Sequence, residues 1–358
     1  MYTGIERVIP IENSKKKTVA FYIARSDGKG SYPAKRASVL AKDIAKEVNV
    51  LFIVGENSPS PPDGFKSITI GKKANLIQTL TLIRPDLLIR DTGPTVSEEV
   101  EKIRNIVPSL LHFDDFGDGK NQADFVFQTL LEETIEEHAE HIIIDRQLFI
   151  ADPTLTSVEK SGLRKSAPGP LPHLVISFGE EDEGNLTYRA LRHVSQLQIP
   201  LKVTILVGEC YPHDVSTLRM MALGRRNTVV QQPPYNMAEV YATADVVLCA
   251  SGYMPYEVAV MGIPCVVLSQ NDFELGLAFP KEQHGFVHLG LGRKVKQSNL
   301  LNAIMEPLLH EPLRKRSIER QLSLGLGNGK DKIVETIHYL LEHPKRGAGG
   351  KALSDMLH

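Results

Sequence analysis

Residues 236–270, NMAEVYATADVVLCASGYMPYEVAVMGIPCVVLSQ, decide how the rest of the chain is read. Asn236-Met237-Ala238 opens a short helix, and residues 245–249, apolar after Asp245, have the length of a buried strand. A Ser251-Gly252-Tyr253 turn follows, then helical spacing over 254–261, a break at Gly262, and a second apolar strand, 265–268, behind Pro264. Strand, tight turn and helix in succession make a phosphate-binding geometry. The turn backbone lets a ligand approach closely, and the N–H groups at the helix start face it with the positive end of the dipole. Glu257, one turn into that helix, is placed to accept hydrogen bonds from a ribose diol beside the phosphate. Gln270 and Asn271, directly after the second strand, join Asn236 and Met237 in the same candidate nucleotide-diphosphate site. The competing reading makes Ser251-Gly252 a plain turn and Glu257 a solvated helix residue.

Outward from this stretch, short apolar runs alternate with helical spacing from residue 18 on. Residues 18–24, 50–54, 67–70, 87–89, 109–113 and 125–127 predict strands, and 34–48 and 97–106 predict helices. Strands that read as unbroken apolar runs are covered on both faces, which means parallel sheets flanked by helices. The segment 160–172, KSGLRKSAPGPLP, is rich in Ser, Gly and Pro, and places a linker at 161–172. The alternation restarts at 174 and continues to about 290. The expectation is two Rossmann-like, doubly wound domains, 17–160 and 173–343, facing a cleft where ligands bind at the carboxyl ends of the strands. Helices at 300–309 and 333–341 are expected to pack back across the interface, and 1–16 and 344–358 to be a poorly ordered extension and tail.

Composition excludes several function classes. At 358 residues, with 42% apolar and 23% charged residues, the chain suits two ordinary α/β domains. A net charge of −2 predicts neither a nucleic-acid tract nor a polybasic membrane surface. No apolar run approaches the ~20 residues of a membrane span, and the start, MYTGIERVIPIENSKKK, lacks the apolar core of a signal peptide. Cys210, Cys249 and Cys265 show no C-x-x-C spacing, and the last two fall in apolar strands, so reduced thiols and a cytoplasmic location are expected. His138-Ala139-Glu140-His141 lacks the order of a zinc-binding helix. In Gly325-Leu326-Gly327-Asn328-Gly329-Lys330-Asp331, Asp331 stands where a P-loop needs Ser or Thr. Neither a metal nor a cofactor is expected.

The motifs together resemble the donor-nucleotide half of GT-B proteins. They are the Asn-Met-Ala helix, Ala244-Asp245, the small-residue turn, Glu257 and Gly262-Ile263-Pro264. Among these proteins the chain resembles most the UDP-sugar hydrolases of the pseudaminic-acid pathway and the related spore-coat polysaccharide proteins. Further marks are Ser177-Phe178-Gly179 with Asp182 and Asn185, the run PCVVLSQ, His288-Leu289-Gly290-Leu291-Gly292 and Gly329-Lys330-Asp331. The resemblance implies a GT-B fold, a UDP- or other nucleotide-sugar as ligand, and a role in making a surface polysaccharide or a nonulosonic acid. Lipid II-type glycosyltransferases share the same marks in the second half.

The departures matter as much as the matches. The family's turn usually reads Gly-Gly-Ser, so Tyr253 takes the place of the phosphate-contacting Ser, and its ring would crowd the site or stack on a sugar. The family's Ser-Phe-Gly-Gly-Ser-Asp becomes Ser177-Phe178-Gly179-Glu180-Glu181-Asp182; its two glutamates either point outward and cap the helix beginning near Gly184 or alter the diphosphate site. Arg25-Ser26-Asp27-Gly28-Lys29-Gly30 matches the entry loop of the first domain, which makes Arg25 and Gly30 ligand-side candidates. Aligned on Arg36, Pro33 stands where the hydrolases carry their proposed base His. A proline accepts no proton, so Asp27 is the replacement candidate for the catalytic base. Asp91 and Asp114-Asp115 follow strands where the family places cleft acids, with structural capping as the main competing reading; Asp114-Asp115 also resembles a metal-binding D-x-D but has no evident third ligand. Three functions stay open: a hydrolase with an altered base, a glycosyltransferase, and a non-catalytic nucleotide-sugar binder.

Overall fold

The computed structural model describes residues 16–24, 31–55, 64–71, 75–131, 139–160, 171–233 and 236–344. Arg25, Asp27 and Gly30 lie outside the described residues, as do His138, residues 161–170 of the expected linker, and nearly all of the expected extension and tail.

The first half builds one sheet from β1 (Thr18–Ile23), β2 (Asn49–Gly55), β3 (Lys66–Ile70), β4 (Leu87–Asp91), β5 (Ser109–Phe113), β6 (Phe125–Gln128) and β7 (Ile142–Ile144). The second half builds another from β8 (His173–Ser177), β9 (Lys202–Leu206), β10 (Thr228–Gln231), β11 (Val246–Ala250), β12 (Cys265–Ser269) and β13 (Phe286–Leu291). The spatial orders are β3-β2-β1-β4-β5-β6-β7 and β10-β9-β8-β11-β12-β13, and every pair is parallel. Both are doubly wound sheets whose order reverses beside the first strand, at β1/β4 and at β8/β11. Such switch points open a crevice at the carboxyl ends of the strands.

Burial follows from the apolar runs. Every residue of β4, β5, β8, β11 and β12 is buried, as strands covered on both faces require. Alternate residues serve opposite faces: Val19, Phe21 and Ile23 of β1 join one cluster while Ala20 joins another. Leu174 and Ile176 of β8 likewise part from Val175.

Two segments tie the halves together. The last helix, Lys330–Glu342, lays Ile333, Ile337 and Leu340 against the core of the first sheet, as expected of a helix that crosses back. The other helix expected to cross back, Gln297–Leu309, instead buries Leu300, Ala303 and Ile304 on the second sheet. The helix Pro153–Lys160 runs the other way, placing Leu155 in the core of the second half against the helices Met237–Ala242 and Met254–Met261. The helix Leu76–Ile83, capped by Asn75, was hidden by its Thr-rich apolar sequence.

Candidate functional site

A cleft of about 490 Å³ opens between the halves at the switch point of the second sheet. Ser177-Phe178-Gly179 leaves β8 on one side and Ser251-Gly252-Tyr253 leaves β11 on the other. Gly179 and Gly252 turn at φ of +86° and +88°, a left-handed backbone that residues with a Cβ rarely adopt. The helix Met254–Met261 starts at once, with Pro255 in its first turn, where a missing N–H costs nothing. The first half contributes Ser31, Tyr32 and Lys35 at the start of the helix Tyr32–Ile44.

Of the residues singled out in the sequence, Gly179, Asn236, Met237, Ser251, Tyr253, Glu257 and Gln270 line this cleft. Gly252, in the same turn, is not among the lining residues. Asn236 caps its helix by accepting from the N–H of Ala238 at 3.1 Å. Asn271 is also a cap, accepting from the Glu274 N–H at 2.9 Å at the start of Asp272–Leu275.

Glu257 is buried and pairs across the cleft with Lys35 at 3.0 Å. Glu274, which sequence reasoning missed, lies on the cleft wall with 1% of its surface exposed. Its carboxylate accepts from the Gln270 backbone at 2.8 Å and from Gln270 Nε2 at 3.0 Å. Burial pushes its pKa up to about 7 despite those hydrogen bonds. Its spacing of four residues from Gln270, at the end of a buried strand, was the available signal.

Tyr253 lines the cleft and reaches beyond it. It inserts into the first half, its ring 3.8 Å from that of Tyr32. Its hydroxyl donates to the Asp114 carboxylate and accepts from Arg36 Nη2 at 3.3 Å. Arg36 is the hub: Nε donates to Asp91 at 2.8 Å, Nη1 to Asp114 at 3.1 Å, and the guanidinium lies 4.1 Å from the centre of the Phe113 ring. Burial works against the Arg36 charge, but Asp91, Tyr253 and Asp114 outweigh it and hold its pKa well above the ordinary value. Tyr256 adds a second bolt, donating to the Thr129 carbonyl at 2.6 Å.

The expected cleft acids therefore sit elsewhere. Asp91, Asp114 and Asp115 are buried and absent from the cleft lining. Asp114 also accepts from the N–H groups of Thr129 and Leu130 at 2.7 and 3.1 Å, because it holds a left-handed turn at φ +45°. Asp115 accepts from the N–H groups of Thr95 and Gly117, each at 2.9 Å, and contacts His112 Nδ1 at 2.8 Å. Burial opposes its charge, yet the His112 and Thr95 hydrogen bonds bring its pKa down to about 2. Asp182 is a buried cap, accepting from Leu186 and Thr187 N–H at 2.7 and 2.8 Å. Pro33 is buried in the first turn of its helix. The thiols of Cys210, Cys249 and Cys265 are all free, and Cys249 and Cys265 are buried with their sulfurs 3.5 Å apart. Lys330 begins the last helix and pairs with Asp43 at 2.9 Å.

No protein-family model matches the chain. It is 22% identical over 301 residues to an uncharacterized protein of Methanocaldococcus jannaschii, covering 81% of this chain and 58% of that protein. It is 26% identical over 173 residues to the spore coat polysaccharide biosynthesis protein SpsG of Bacillus subtilis, covering 48% of this chain and 51% of that one. The matches thus span little more than half the length of these relatives. Among solved structures it superposes on MurG of Acinetobacter baumannii with a TM-score of 0.60 at 15% identity, over 90% of this chain and 99% of that one. On HepE of Anabaena in complex with UDP-glucose the TM-score is 0.58 at 12% identity, over 91% and 99%. On the UDP-GlcNAc 2-epimerase of Neisseria meningitidis bound to UDP-GlcNAc it is 0.54 at 13%, over 90% and 100%. The fold is GT-B: two parallel-sheet Rossmann-like halves, shared with glycosyltransferases and epimerases. Among the described residues no helix is long and apolar enough to cross a membrane, and no group of three or more His, Cys, Asp or Glu is arranged to hold a metal.

Proposed function

We propose that the chain binds a nucleoside-diphosphate sugar in the cleft and acts in the biosynthesis of a surface or spore-coat polysaccharide or a nonulosonic acid. One observation carries this: the turn at Ser251-Gly252 and the start of Met254–Met261 face Gly179 across the cleft, at the switch point of the second sheet. UDP-sugars in the solved complexes of structural neighbours support the ligand class, and the partial match to SpsG supports the setting. Buried free thiols favour a cytosolic one.

In this reading the turn and the helix start hold the diphosphate, and the ribose hydroxyls meet Glu257 in place of part of its contact with Lys35. Hydrolysis by the family's usual route is disfavoured. Its base position is the buried Pro33, and Asp91, Asp114 and Asp115 are committed to structural hydrogen bonds. Asp27 remains the candidate base for a weak or altered activity.

The test is a panel of nucleoside-diphosphate sugars, titrated calorimetrically and then assayed for released UDP and sugar 1-phosphate. Glu257→Ala should weaken UDP binding. Charge-assisted hydrogen bonds contribute about 1.5–3 kcal/mol, and competition from Lys35 puts the loss near the low end, roughly tenfold. Unchanged affinity in that variant removes Glu257 from the site.

A further inference from the structure

A buried carboxyl group stands behind the proposed diphosphate site. Glu274, on the helix Asp272–Leu275, has 1% of its surface exposed and still lines the cleft. Its carboxylate accepts from the Gln270 backbone N–H at 2.8 Å and from Gln270 Nε2 at 3.0 Å. The backbone N–H of Ser251, in the turn itself, also favours its charged form. Gln270 Nε2 donates in addition to the Phe178 carbonyl at 3.2 Å. Glu274 is thus placed between the turn after β11 and the loop after β8, the two lips that a diphosphate would bridge.

Among the described residues every donor to this carboxylate is an amide, and none is a cation. Lys35 pairs instead with Glu257. Lys294 and Lys296 stand beside Leu275 in a separate, exposed hollow. Burial keeps Cys249 of β11 a thiol and holds His288, 2.8 Å from Ser269 Oγ, below its ordinary pKa. The other ionisable neighbours, Asp182 at the end of the loop and Glu180, Glu181 and Glu209 on the lining, are acids. Burial therefore wins over the amides and pushes the Glu274 pKa up to about 7, with Asp182 pushing the same way.

A diphosphate seated at Ser251 brings negative charge to a carboxylate that has no cation of its own, and like charges in a cleft repel more strongly than in water. Protonating Glu274 removes the repulsion. The acid form keeps an oxygen to accept from the Gln270 amides and gains an O–H to give. Resting on the nucleotide-sugar reading, we infer that Glu274 is a proton-linked contact of the diphosphate: binding draws a proton from solvent onto its carboxylate, and the new O–H donates to a phosphate oxygen. The proton comes from solvent because the diphosphate of a nucleotide sugar, esterified at both ends, carries none to give near neutral pH.

UDP-glucose tests this, because its own charge is constant over the range used. Calorimetric titration in two buffers of different ionisation enthalpy should show about 0.7 proton taken up per ligand at about pH 7.5, and affinity about tenfold weaker at about pH 8 than at about pH 6. Infrared difference spectra of the wild type should show a carboxylate band converted into a carboxylic-acid band on binding. Glu274→Gln, checked for fold by circular dichroism, keeps an acceptor oxygen with a permanent N–H donor. It should abolish the proton uptake, lose the infrared change and flatten the affinity profile. A wild type that shows no uptake or no carboxylic-acid band overturns the inference while leaving the nucleotide-sugar site standing. So does uptake that persists in a folded Glu274→Gln, which assigns the proton to another acid. Failure of UDP-glucose and UDP-N-acetylglucosamine alike to bind at any pH overturns the nucleotide-sugar reading and this inference with it.

Discussion

Replacing Arg36 by Met tests whether the buried charge network holds the two halves together. The guanidinium is fully buried between two carboxylates, 2.7 Å from Asp91 and 3.1 Å from Asp114. Met fills much of the volume but leaves both acids without their cation. Removing one partner of a buried ion pair costs about 3–5 kcal/mol. At roughly 2 °C per kcal/mol for a chain of this size, the expected fall in melting temperature is about 6–10 °C. Tyr253→Phe keeps the ring on Tyr32 but removes the hydroxyl that donates to a charged acceptor, at about 1.5–3 kcal/mol. The two residues share Asp114, so their effects should fall short of additivity by about 0.5–3 kcal/mol. The chain has no Trp, so urea unfolding is followed by far-ultraviolet circular dichroism. An Arg36→Met protein within about 0.5 kcal/mol of wild type at neutral pH would refute the network's role.

Other consequences follow from the same geometry. Glu274 has its pKa raised from 4.5 to about 7, so its neutral form favours the folded state. Its contribution is fully present below pH 4.5 and is lost as pH rises through 7, worth up to about 3 kcal/mol over that interval. Glu274→Gln should flatten the stability profile between about pH 5 and 8, and an unchanged slope would assign the titration to another group. Asp115 has the opposite sign: with its pKa lowered from 3.8 to about 2, its stabilisation holds above 3.8 and disappears as pH falls through 2. Asp115→Asn should cost about 2 kcal/mol at neutral pH and nearly nothing in acid, measured by the same unfolding assay. Limited proteolysis should cut within 161–172 before either sheet; first cuts inside a sheet would speak against a linker there.

The two sheets were legible because period and composition are local. Unbroken apolar runs such as 246–250 and 265–268 report coverage on both faces wherever they fall. The second-half cleft residues were legible for the same reason, since turn, cap and helix start are contiguous in sequence. What escaped was non-local. Lys35 meets Glu257, and Arg36 meets Asp91, Asp114 and Tyr253, only because the first helix of one half docks on a helix start of the other. A sequence shows Asp114 and Asp115 behind a strand and allows a capping role, but not which backbone amides, those of Thr129 and Thr95, they cap. Tyr253 read as an intruder in a phosphate turn because its neighbours there are contiguous, while its actual partners lie in the other half.

The most direct measurement is a crystal structure with UDP. The account predicts the diphosphate against the Ser251-Gly252 turn and the start of Met254–Met261, with the ribose hydroxyls on Glu257 and the Lys35 contact lengthened from 3.0 Å. UDP seated elsewhere, or a cleft in which Glu257 keeps Lys35 and touches no ribose, would contradict it.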